Sequence, residues 1–282
     1  MSDPNVSPRP TRPRRLPVVI AAVVVAAIVV GGGAVWFLRD DAPESVSLET
    51  ATAGLATAST AASTTAAAGA YPAGSSAQPG GATATSAASP ATSAPAAGIA
   101  GSWAVDTSVG TFDFENSTGS FVGFRVKEQL QGVGDVTAVG RTPKVSGTMR
   151  IEGTKVTAVE VVADMNALVT NDSRRDSKAR GALDTAKFPT ARFVLTAPID
   201  LGPDAAAGKP VTVEAPGELT IKGVTRPVRF PLQAKLDKGV VVVVGSLEVV
   251  FADYGVQVPR AAIVLSVEDR GPLELQLFFR RS

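Results

Sequence analysis

From Val145 onward, apolar residues recur at every second position in one segment after another, and that spacing dictates strands. Val145, Gly147, Met149 and Ile151 alternate with Lys144, Ser146, Thr148 and Arg150. Ala191, Phe193 and Leu195 alternate with Arg192, Val194 and Thr196. Val228, Phe230, Leu232, Ala234 and Leu236 do the same, and so do Leu273, Leu275, Leu277 and Phe279. Successive strand side chains point to opposite faces, so each segment has one apolar and one mostly wet face. Turn signals separate the runs: Ile151-Glu152-Gly153-Thr154-Lys155, Lys222-Gly223, Asp237-Lys238-Gly239 and Asp269-Arg270-Gly271-Pro272 all read as hairpin connections. Short turns imply antiparallel order. About eight such strands suit a closed up-and-down barrel better than an open sheet with exposed edges.

Two features interrupt the pattern. The stretch Asn171 to Leu183 is rich in charge and in helix formers, with Asn171 or Asp172 as N-cap. It predicts a short helix across one end of the barrel. Pro227 and Pro231 remove two N–H groups from the same edge of one strand, which predicts a locally unpaired or bulged edge.

The barrel domain is expected over 102–282, which holds ten of the eleven phenylalanines. Ahead of it come a basic tail (1–15), an apolar run (16–38) and a linker (39–101). The run from Leu16 to Leu38 has no charged residue, and its 23 residues reach ~34 Å as a helix, enough to cross a bilayer. Arg9, Arg12, Arg14 and Arg15 precede it, while Asp40, Asp41 and Glu44 follow. The positive-inside bias then leaves the N-terminus cytoplasmic and the barrel extracytoplasmic. The run exceeds an ordinary signal-peptide core and no small-x-small site follows directly, so an uncleaved anchor is expected; cleavage would make the protein secreted. The linker collapses to Ala, Thr, Ser, Gly and Pro and is expected to be disordered.

The chain has no cysteine and no histidine. That excludes disulfides, a thiolate nucleophile, zinc-thiolate sites and a Ser-His-Asp triad. No cofactor and no metal site is expected. A net charge of +1 gives no nucleic-acid footprint. The inward parity picks out candidate lining residues: Phe124 and Val126, Met149, Val161 and Ala163, then Phe193 and Leu195. Further along it picks out Leu219 and Ile221, Phe230 and Leu232, Val249 and Phe251, and Leu265. Eight strands are the marginal case, so the pattern alone leaves a packed core and a ligand cavity equally open. Among the charged residues, Arg175, Asp176 and Lys178 are candidate contacts for a polar headgroup, against a solvated helix whose charges pair locally. Asp176 is also a candidate general base.

Two blocks carry a resemblance. One is Arg174-Arg175-Asp176, then Leu183-Asp184, then Lys187-Phe188-Pro189-Thr190-Ala191-Arg192-Phe193. The other is Gly217-Glu218-Leu219-Thr220-Ile221-Lys222-Gly223-Val224-Thr225-Arg226-Pro227-Val228. Together with Trp103-Ala104-Val105-Asp106 and Ser120 to Lys127, they resemble the YceI-like family in order and content. The resemblance implies a lipocalin-like antiparallel barrel that binds a long isoprenoid lipid, of quinone or polyprenyl type, without catalysis, as carrier, reservoir or sensor. Where family members often carry histidines, this chain has Glu128 and Ser177-Lys178. Two other readings stand beside it: a surface module for cell-wall polymer or a protein partner, and an enzyme using Asp176 with Arg175.

Overall fold

A computed structural model describes residues 42–55, 98–257 and 264–282. The expected tail and anchor, and linker residues 56–97, lie outside the described residues. Among the described residues no helix is long and apolar enough to cross a membrane.

Thirteen strands are described: β1 (Gly101–Val105), β2 (Phe121–Leu130), β3 (Gly134–Thr142), β4 (Val145–Glu152), β5 (Lys155–Asp164), β6 (Val169–Thr170), β7 (Thr190–Leu195), β8 (Ile199–Asp200), β9 (Val211–Ile221), β10 (Val224–Asp237), β11 (Val240–Val250), β12 (Val264–Val267) and β13 (Arg270–Arg281). All pairings are antiparallel. Eight strands close a ring in the order β1-β4-β5-β7-β9-β10-β11-β13, sealed by the pairing of β13 back to β1. β13 divides its free edge: Leu273 to Gln276 pair with β2, and Phe279 to Arg281 with β1. Two tight hairpins use consecutive left-handed residues, Lys222-Gly223 (φ 49° and 74°) and Lys238-Gly239 (φ 49° and 78°), as a two-residue turn between twisted strands requires.

The unpaired edge lies where the prolines predict it. β10 pairs with β9 from Val224 to Ala234 but with β11 only from Leu232 onward. The 3₁₀ turn Phe251–Tyr254 reaches over this region, with Arg226 Nε donating to Asp253 O at 3.1 Å. The expected helix is also present, over Ser173–Leu183, with the Asp172 carboxylate accepting from Arg174 N at its N-cap and left-handed Asp184 ending it.

Two expectations need correction. Asp269-Arg270-Gly271-Pro272 is not a hairpin. β12 and β13 run in the same direction along β2, spending Val267 to Leu273 where β2 spends Glu128 to Phe124. The extra residues form a bulge, and Gly271 sits there because a side chain would overlap Arg125 O. Nor is the linker structureless throughout. Residues 48–55 are helical, and Ala51 and Leu55 are buried with Val240, Val242, Val244, Phe278 and Val109, backed by Val46 and Leu48. Leu48, Ala51 and Leu55 fall at helical spacing, so an apolar stripe exists despite the low-complexity composition. This helix lies on the outside of β11 and β13, which explains why β11 is apolar at five consecutive positions: both of its faces are covered.

Candidate functional site

The barrel interior is a cavity of about 690 Å³ and is not filled by its own side chains. That volume lies within the ~300–1,000 Å³ of small-molecule sites. Its wall is apolar along its length: Val126, Met149, Val161, Ala163, Leu219, Ile221, Phe230 and Val249 are all buried and all border it. The space survives because bulky side chains lie against the wall. Phe193 rests on Gly217 and Leu232 beside Gly245, where a Cβ on either glycine would collide with them. Phe193 and Phe230 meet edge to face, with centroids 6.2 Å apart and planes at 84°.

The two ends differ. At one end Ile99, Ile151, Val156 and Ala205 border the cavity and are each no more than 4% exposed, forming a stopper. Ile99 is fixed there by the buried Trp103, whose indole N–H donates to its carbonyl at 2.9 Å. The other end, the mouth, is framed by the Ser173–Leu183 helix, Leu130 and Val133 beside the β2–β3 turn, and Val264 and Val267 of β12. Here the lining includes exposed cations, Arg174 and Lys178, next to half-buried Arg175. Arg175 lies 3.4 Å from the Glu128 carboxylate, and Arg174 pairs with Asp172 at 2.8 Å. That hydrogen bond holds the Asp172 carboxyl below its usual range. Among the described residues the Lys178 ammonium has no ion-pair partner.

Twelve of the fourteen expected lining residues border the cavity: Phe124, Val126, Met149, Val161, Ala163, Phe193, Leu219, Ile221, Phe230, Leu232, Val249 and Phe251. Leu195 and Leu265 do not. Leu195 has inward parity but is packed into the stopper-side cluster with Ile199 and Leu201. Leu265 points outward and is 62% exposed, because a register shift between Val264 and Ser266 breaks the alternation. Of the charged trio, Arg175 and Lys178 border the cavity. Asp176 does not: its Oδ1 accepts from Thr170 N at 2.8 Å and Thr170 Oγ1 at 2.7 Å, so it ties the helix to β6. Parity found the wall, but it missed the stopper. Ile99 and Ala205 come from loop and helix segments that have no strand period, and no local signal marks them.

A second polar cluster lies outside the lumen, under the 42–55 segment. The Arg125 guanidinium pairs with buried Glu274 at 2.9 Å and donates to Pro43 O. Arg141, itself buried, donates to Glu44 O at 3.0 Å and Phe114 O at 2.6 Å and lies 4.5 Å from the Phe121 ring centroid. Burial lowers its pKa, with Glu274 opposing and Arg125 adding to that shift.

The model of the YceI-like domain matches residues 112–279, well over half of the chain. The chain belongs to the YceI-like family. A curated relative, a UPF0312 protein of Shewanella denitrificans, is 35% identical over 94 residues, covering 32% of this chain and 46% of the relative. This chain thus spans about half the length of that relative. Among solved structures, a polyisoprenoid binding domain from Saccharophagus degradans, implicated in plant cell wall breakdown, matches with TM-score 0.50 and 21% identity, covering 64% of this chain and 98% of that one. Burkholderia cenocepacia BcnA matches at TM-score 0.46 and 20% identity, covering 62% and 98%. The YceI-like assignment fits the closed eight-stranded barrel, and the matched region takes in every strand except β1.

Proposed function

We propose that this YceI-like barrel binds the apolar chain of an isoprenoid lipid in its lumen and acts on it by holding it, not by reacting with it. The observation that carries this reading is the 690 Å³ apolar cavity stoppered at one end and rimmed by cations at the other. A chain of repeating branched hydrocarbon units suits a tube lined by Val, Ala, Leu, Ile and Phe. The Saccharophagus relative, described as a polyisoprenoid binding domain, supports the same ligand class. Each methylene taken from water contributes about 0.8 kcal/mol, but a lipid taken from a bilayer leaves an equally apolar medium. Exchange between bilayer and barrel is therefore nearly balanced, as a carrier or reservoir needs. The sequence-derived anchor at 16–38 would keep the barrel at the membrane, on its extracytoplasmic side.

The test is native mass spectrometry of the full chain, purified in mild detergent from its own host, followed by organic extraction. An isoprenoid near one per chain is the expected result. A chain that stays empty and also rejects added quinones, polyprenols and polyprenyl phosphates overturns the reading, leaving the surface-module alternative. Arg174, Arg175 and Lys178 at the mouth favour an anionic headgroup. Removing the Lys178 charge (Lys178→Gln) should then weaken polyprenyl phosphate binding several-fold and leave the neutral polyprenol unchanged.

A further inference from the structure

The outer segment at 42–55 bears on how the cavity meets the membrane. Its first residues are fixed halfway along the barrel, where Arg125 binds Pro43 O and Arg141 binds Glu44 O, at the level of Glu274. The helix then continues toward the stoppered end, burying Ala51 and Leu55 beside Phe278 and Val240, with Gly54 against Thr118. On β13, Glu274 lies nearer the mouth and Phe278 nearer the stopper, because the strand runs from Arg270 at the bulge to Arg281 beside β1. The segment is therefore oriented, with Pro43 at its mouth-side end and Leu55 at its stopper-side end.

We propose that this docked segment holds the cavity mouth against the bilayer surface, so that lipid passes between membrane and lumen without crossing water. The inference rests on the lipid-cavity reading and on 16–38 spanning the membrane. Five residue steps separate Leu38 from Pro43, a reach of at most ~18 Å. To set the stoppered end on the bilayer, that leash would have to double back along the barrel wall. An independent observation agrees. Leu265, the one exposed large hydrophobic residue among those described, lies on β12 beside Leu130 at the mouth, and the same rim carries Arg174 and Lys178. An exposed apolar side chain on a rim that also carries cations fits the interface of an anionic bilayer. Leu55 and Gly98 are then both held on the barrel, so the spacer between membrane and barrel under this proposal is the short chain before Pro43.

The experiment uses the full chain in liposomes of phosphatidylcholine and phosphatidylglycerol. The protein has no cysteine, so Leu265→Cys and Lys238→Cys each give one labelling position, at the mouth and at the opposite end. With spin-labelled lipids as quenchers, a fluorophore at 265 should be quenched several-fold more than one at 238. Equal quenching at both positions, stronger quenching at 238, or failure to co-float with the liposomes overturns the proposal. A second variant inserts twenty Gly/Ser residues after Asp40, lengthening the leash by ~25 Å without touching the fold. It should abolish the difference, and a difference that persists overturns the role of the docked segment. The isoprenoid content of the same samples reports on the lipid reading separately. Loaded protein with equal quenching sinks the orientation alone, whereas empty protein sinks the reading beneath it.

Discussion

The Phe124 ring lies against Gly140, its register partner across β2 and β3, so closely that a methyl group on Gly140 would overlap it. The glycine is a slot in the wall, and the ring lying in it leaves the lumen open near the mouth. Gly140→Val should push the ring inward. We expect a loss of about 1–3 kcal/mol in stability, as for other overpacked sites, and a lower isoprenoid occupancy. Urea unfolding and native mass spectrometry check the two parts; unchanged occupancy would show that Phe124 has another way to turn.

Glu274 is the carboxylate among two buried or nearly buried arginines, Arg125 and Arg141. Glu274→Gln leaves the Arg125 guanidinium without its ion-pair partner and removes one of the two carboxylates acting on Arg141, the other being Glu115; breaking a buried pair in this way costs about 3–5 kcal/mol. The outer segment should loosen first, because Arg125 and Arg141 hold Pro43 and Glu44. Limited proteolysis within 42–55 should accelerate in the variant before the barrel strands are attacked.

Hydrogen exchange should split β10 residue by residue. In the tight β9–β10 hairpin, Ile221 and Val224 face each other, so even-numbered N–H groups of β10 point to β9 and odd-numbered ones point away. Thr225 and Arg229 share the edge of Pro227 and Pro231, where the β11 ladder has not begun. Their amides should exchange much faster than those of Arg226, Val228 and Phe230, which NMR can resolve.

Asp172 caps the mouth helix and pairs with Arg174. Asp172→Ala should cost about 0.5–2 kcal/mol of helix stability, seen as faster exchange at Arg174 and Arg175 with little change in the barrel. The pH dependence has the same origin. The hydrogen bond from Arg174 lowers the folded-state pKa below the ordinary 3.8, so its stabilisation is complete above 3.8 and is lost as pH falls through the folded value. Acid should therefore loosen the wild-type helix and leave the alanine variant comparatively unaffected.

Most of the cavity wall was legible in the sequence because parity is unforgiving. With one face buried, a one-residue slip would turn Phe193 or Phe230 out to water, so the alternation fixes which side chains point inward. Parity fails where the ladder does, and Leu265 shows how: beside the β12 bulge both Val264 and Val267 face the cavity, three positions apart. Whether the lumen was filled could not be read from period alone. That depends on register, which places Gly140 under Phe124 and Gly245 beside Leu232. The outer layer had a signal in the run from Val240 to Val244, apolar on both faces, but its cover is a helix within an Ala/Thr-rich stretch whose average composition hides the stripe at Leu48, Ala51 and Leu55.

The seam between β1 and β13 joins Trp103 to Arg281. A ribosome delivers those two residues far apart in time: at ~5–20 residues per second, the wait is roughly ten to thirty-five seconds. Throughout that interval β1 lacks one neighbour; once β11 is made, it too lacks its longest ladder, and the valines on both its faces have nothing to cover them on the β13 side. The nascent barrel is therefore an open, sticky sheet until β13 emerges, and its dependence on a chaperone should peak just before that strand is complete.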